Sequence, residues 1–151
     1  MSKARWSIPT WYLLHGIAEK IKEDYYIKNK DDIIKILKDV CYNLPCPYCR
    51  TNAIKYLKSK NYTTLKTKED FKLFIFNFHN NVNKKLNKKI FDKNILKKYK
   101  TIRLLNVWNL FNKEFNSNYL SSHDFNKWRR NMSSSFIKEY FNKNWNKMFE
   151  N

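Results

Sequence analysis

Apolar residues recur along this chain with a helical period and rarely alternate as they would in a half-buried strand. Trp11, Leu14, Ile17, Ala18 and Ile21 share one face and predict a first helix over about residues 10–27. Asp31 and Asp32 open a second segment carrying Ile33, Ile36, Leu37 and Val40. It must end before Pro45, because the residue preceding a proline avoids the helical region. A third helix starts at Cys46 or Pro47, proline being tolerated in a first turn, and runs through Ala53, Ile54 and Leu57. Thr67-Lys68-Glu69-Asp70 resembles a capping box and opens a fourth helix, the longest and best patterned, with Phe71, Phe74, Ile75, Phe78, Val82 and Leu86 on its apolar face. Beyond Asp92 the pattern continues as short helices over about residues 93–116 and 122–149, separated by the polar stretch Asn116 to Ser122. Without a repeat or a true linker, the expected architecture is all-α: a helical core over residues 1–92 and a helical extension, 93–151, packed on the same domain.

Composition narrows what such helices can hold. The chain has 151 residues, 42% hydrophobic and 17% aromatic, enough for a core of its own. Gly16 is its one glycine, so Gly-rich phosphate loops and a G-x-G-x-x-G turn are excluded. A dinucleotide bound here must be held by side chains on helices. The formal charge of +18 suggests a polyanion partner on first reading. Residues 1–92 hold 19 basic and 9 acidic residues and residues 93–151 hold 12 and 4, so the excess is spread over both parts and does not by itself decide function. No apolar run approaches the ~20 residues that span a bilayer, and Met1 to Arg5 lead into Trp6 without a hydrophobic signal region. The expectation is a cytoplasmic protein that is not secreted, where a C-x-x-C is catalytic or metal-binding more often than structural.

The chemistry gathers at two places. Cys46 and Cys49, in Leu44-Pro45-Cys46-Pro47-Tyr48-Cys49, stand three apart at a helix start. Orphan N–H groups and the helix dipole favour a thiolate there, which makes a good attacking and leaving group in disulfide exchange. Two inert buried cysteines, or a zinc site completed by Cys41 and a histidine, are the alternatives; Cys41 itself reads as a core thiol. His79, Asn80 and Asn83 lie near one helical face beside Val82, and three asparagines within five residues of mid-helix either face solvent or bind something flat and polar. Trp11 and His15 form a second aromatic and imidazole pair that would suit a sandwiched ring.

Together these motifs resemble the FAD-linked sulfhydryl oxidases of the Erv/ALR type, especially the short versions carried by large DNA viruses. Trp11-Tyr12-Leu13-Leu14-His15 looks like the family's opening W-x-x-L-H helix, with Trp6 five residues earlier as in viral forms. Cys46-Pro47-Tyr48-Cys49 matches its active-site C-x-x-C, and His79 to Lys88 its H-N-x-V-N-x-x-L-x-K flavin motif, followed by Phe91-Asp92. The resemblance covers roughly residues 6–92. Where the family often places two further cysteines, this chain has Phe76 and Lys93, which fits the loss of one structural disulfide; no second, shuttle C-x-x-C is present.

The resemblance implies a four-helix bundle with a short fifth helix, FAD held by Trp6, Trp11, His15, Cys49, His79, Asn80, Val82 and Asn83, and Lys84 and Lys88 near the ribose or pyrophosphate. It implies that Cys46 meets a protein dithiol or a relay thiol protein, that Cys49 lies against the flavin, and that O2 takes the electrons as hydrogen peroxide. It also implies a homodimer paired through the first helices, working in the host cytoplasm or virion if the chain is viral. The alternatives are a glutaredoxin-like oxidoreductase, which needs a strand before the C-x-x-C, and a basic helical module binding nucleic acid or an acidic protein without flavin.

Overall fold

The computed structural model describes residues 2–117 and 126–150. Among them every regular element is helical: α1 (Ser2–Lys20), α2 (Glu23–Lys28), α3 (Lys30–Cys41), α4 (Pro47–Lys58), α5 (Lys68–Lys85), α6 (Leu104–Phe115) and α7 (Asn126–Met148), with 3₁₀ turns at Tyr62–Thr64 and Lys93–Lys100. The strand that a glutaredoxin-like fold needs before the C-x-x-C is replaced by α3. No described helix is long and apolar enough to cross a membrane.

Local chemistry explains most helix ends. Thr67 Oγ1 accepts from the Asp70 N–H at 3.1 Å while the Asp70 carboxylate accepts from the Thr67 N–H at 3.0 Å, a complete capping box at the start of α5. Pro47 occupies the first turn of α4, where its missing N–H costs no hydrogen bond.

The first helix departs from the pattern at both ends. It starts at Ser2 and runs through Pro9, with Trp6 and Pro9 both buried, so packing overrides the proline as a starting signal. It stops at Lys20 rather than near residue 27 because the C-terminus captures its last backbone groups. Lys22 N–H donates to Met148 O at 2.7 Å, Glu150 N–H donates to Lys20 O at 3.2 Å, and Ile21 forms an isolated antiparallel bridge with Phe149. The helix expected over 93–116 is divided as well, into the 3₁₀ stretch and α6. Part of the polar stretch Asn116–Ser122, and the start of the helix expected from 122, lie outside the described residues.

α1 is the axis of the fold, packing on α5, α6 and the 93–100 segment. Lys72 of α5 pairs with Glu19 at 3.1 Å, and Arg5 pairs with Glu114 of α6 at 3.3 Å. Trp108, Phe111 and Phe115 of α6 and Phe141 of α7 join the same hydrophobic cluster as Leu13, Ile17 and Ile75. Each such side chain stabilises the fold by about 1.5–3 kcal/mol. Gly16 marks the closest approach: a Cβ there would lie 2.8 Å from the Cδ1 atoms of both Ile102 and Leu104. Along α1, only Arg5 and Ile8 are exposed among the residues whose side chains are described.

Candidate active site

The turn before α4 presents the two cysteines. Cys46 is the N-cap, with extended φ and ψ of −93° and 117°, and its Sγ accepts from the Cys49 N–H at 3.2 Å. Arg50 Nη1 donates to Leu44 O at 2.6 Å and braces the chain entering the turn. The two sulfurs lie near disulfide distance. N–H groups converging at the positive end of α4 suit a sulfur that carries negative charge during exchange. Cys41, at the end of α3, is buried, and burial pushes its thiol well above the usual range. A buried, protonated thiol is a poor nucleophile.

Behind the turn lies a cavity of about 330 Å³, within the size range of small-molecule sites. Cys49 and the buried Cys41 are on its wall; Cys46 is not. α1 contributes Trp6 and Trp11, and α5 contributes His79, Val82 and Asn83. Lys85, Lys88 and Lys98 border the cavity, whose lining contains no carboxylate. Asn83 is buried and its Nδ2 has no hydrogen-bond partner, leaving a donor on the wall for an acceptor that the protein does not supply.

The histidines form a paired unit at one end. The His79 ring stacks on Trp11, with centroids 3.8 Å apart and planes 6° off parallel. His79 Nδ1 faces His15 Nε2 at 2.9 Å, and His15 stacks on Tyr99 at 4.5 Å. One proton occupies the space between the two nitrogens. Burial, then His79 and Lys98, lowers His15 to about 3, while burial, then Lys98 and Lys88, lowers His79 to about 4. Both rings are thus neutral near pH 7, and the pair braces the stacked aromatic wall. His15 lies behind His79 and lines a separate small cavity of about 20 Å³.

Two other positions named from sequence fall elsewhere. Asn80 turns its amide away from the main cavity: Nδ2 donates to Phe91 O and Oδ1 accepts from the Phe91 N–H, both at 3.0 Å. This clasp fastens the segment after α5 and places Phe91 on the cavity wall. Lys84 is exposed and off the wall. Tyr99 and Lys98 reach the cavity from beyond residue 92, where the motif reading stopped. Ile95, Leu96 and Tyr99, three and four apart in a lysine-rich stretch, were the available signal. No group of three or more His, Cys, Asp or Glu side chains that could hold a metal occurs among the described residues, so the zinc alternative lacks its ligand set.

Aromatic walls, the unpartnered Asn83 amide donor and a lysine-bordered, acid-free lining fit a planar ring ligand that carries acceptors and negative charge. With a cysteine pair at its edge, the site has the makings of a thiol redox centre built on a helical cofactor pocket. Residues 8–103 match the model of the Erv1/Alr family, and the chain belongs to that family. The chain is 42% identical over 85 residues to a FAD-linked sulfhydryl oxidase of African swine fever virus, covering 56% of this chain and 71% of that one. It is 29% identical over 89 residues to a mitochondrial FAD-linked sulfhydryl oxidase of Saccharomyces cerevisiae, covering 59% and 47%. No solved structure gives a significant match.

Proposed function

We propose that this protein is an FAD-linked sulfhydryl oxidase that forms disulfides in protein substrates and passes the electrons to O2. The observation that carries the reading is the division of labour between the cysteines: Cys49 lies on the cavity wall and Cys46 lies off it. A substrate thiolate attacks Sγ of Cys46, forming a mixed disulfide as the electron pair leaves on Cys49. The substrate's second thiolate then displaces Cys46, so the substrate gains one disulfide and the pair holds two electrons as a dithiol. FAD held in the cavity would supply a two-electron acceptor for that dithiol and a route for the electrons to O2, released as hydrogen peroxide.

Trp6, Trp11, His79 and Val82 would hold the cofactor by packing, Asn83 Nδ2 by donating to an acceptor, and Lys88 by charge. His15 and Asn80 act one layer back, through His79 and Phe91. In this reading the helices are arranged as a bundle of the family's type, with residues 1–92 as its core and 93–151 as an extension, of which Lys98 and Tyr99 line the cavity. The partners are a protein dithiol or a relay thiol protein, in the cytoplasm or a virion, and a second copy of the chain in a homodimer.

The test is stoichiometric. A reduced dithiol peptide should yield one hydrogen peroxide per disulfide formed, and Cys46→Ser and Cys49→Ser should each abolish it. Disulfide formation without peroxide or oxygen uptake would overturn the oxidase reading.

A further inference from the structure

Dividing the charge at residue 92 hides a cluster that straddles it. Residues 84–100 contain eight of the chain's 31 basic residues and a single acid, Asp92, whereas residues 19–39 set six lysines against six carboxylates. Lys85, Lys88 and Lys98 of the cluster border the cavity that Cys49 lines; Lys89, Lys93 and Lys97 are exposed and off its wall. The cluster therefore exceeds what a cofactor with two phosphates would neutralise.

Three exposed apolar side chains border the same cavity. Ile8 and Tyr48 are each 59% exposed and Leu86 is 42% exposed. Tyr48 lies between the two cysteines in sequence, and Leu86 lies inside the lysine cluster. Apolar side chains (Ile8, Tyr48, Leu86), cations (Lys85, Lys88, Lys98) and the Cys49 thiol thus line one cavity.

We propose that this lysine rim, with Ile8, Tyr48 and Leu86, is the docking surface for an acidic protein thiol: a segment in which cysteine is flanked by carboxylates and an apolar residue. A docked dithiol matters only if Cys46 and Cys49 oxidise thiols, so the rim's role rests on the oxidase reading. Charge complementarity argues for the acidic partner over a second copy of the chain, which would bring +18 against +18. Two of the three exposed apolar side chains, Ile8 and Leu86, are aliphatic and only Tyr48 offers a stacking face, which argues for a protein over a nucleic acid, whose bases would use several.

The experiment compares flavin-loaded wild type with the triple variant Lys89→Glu, Lys93→Glu, Lys97→Glu. None of these residues lines the cavity. Three reduced dithiol peptides differing only in acidic, neutral or basic flanks serve as substrates, with dithiothreitol as an uncharged control. Wild type should favour the acidic peptide over the basic one by about tenfold in kcat/KM at low salt, a ratio that shrinks as salt screens the rim. The triple variant should lose that preference while its flavin spectrum and dithiothreitol turnover hold. Equal kcat/KM for all three peptides on wild type, or an acidic preference that survives charge reversal, overturns the docking surface. So does a single-stranded oligonucleotide whose binding disappears in the variant while peptide kinetics stay unchanged, because the rim would then serve nucleic acid. A protein that takes up no flavin and oxidises no dithiothreitol fails earlier, at the oxidase reading itself.

Discussion

Acidification from pH 7 to pH 5 should weaken the fold through the His15–His79 pair. A histidine with an ordinary value of 6.5 that is held at about 3 in the fold binds fewer protons folded than unfolded anywhere between those values. Stability therefore rises with pH through that window and is lost as pH falls from 6.5 toward 3. At pH 5 the unfolded imidazole is favoured by a factor of about 30, or about 2 kcal/mol for His15. His79, lowered to about 4, adds a similar amount, so the pair together costs about 4 kcal/mol. That is a large share of a typical domain's total of about 5–15 kcal/mol. Urea unfolding followed by tryptophan fluorescence at pH 7, 6 and 5, with FAD saturating throughout, reads this directly. His15→Gln should remove about half of the pH dependence. A change below about 1 kcal/mol between pH 7 and pH 5, or an undiminished slope in the His15→Gln, His79→Gln double variant, would refute the buried neutral pair.

Other parts of the structure give separate expectations. After reduction, a short pulse of alkylating reagent should modify Cys46 first and Cys49 more slowly, with Cys41 untouched until the protein unfolds; mass spectrometry of the digest gives the order, and early labelling of Cys41 would contradict its burial. Asn80→Ala removes both hydrogen bonds to Phe91 and should cost about 1–3 kcal/mol and loosen flavin, seen as a higher FAD dissociation constant in a fluorescence titration. Gly16→Val should destabilise by about 1–3 kcal/mol by pushing into Ile102 and Leu104, and an unchanged melting temperature would show that α1 has room there.

Helix type and the main anchoring residues were legible from local chemistry. The proline after Cys46, the Thr67 capping box and the periodic Ile33, Ile36, Leu37 and Val40 are properties of a few neighbouring residues, and α3, α4 and α5 follow from them. The break after Lys20 was not legible, because it depends on Met148 and Phe149, well over a hundred residues away. The same distance effect hid the burial of α1 beneath α6. Within the site, the motifs brought Trp6, Trp11, Cys49, His79, Val82, Asn83 and Lys88 to one wall. Spacing alone could not separate Asn83, which faces the cavity with an unsatisfied donor, from Asn80, whose amide is consumed by Phe91. Nor could it separate Lys84 from Lys85, where one position of helical rotation decides which cation reaches the rim.

The most direct test of the central claim is the visible absorption spectrum of the purified protein, recorded before and after adding dithiothreitol with air excluded and then readmitted. Flavin bands near ~450 nm that bleach on reduction and return with oxygen, and that no longer bleach in Cys49→Ser, are the predicted result. A folded, colourless protein that cannot be reconstituted with FAD would contradict the account.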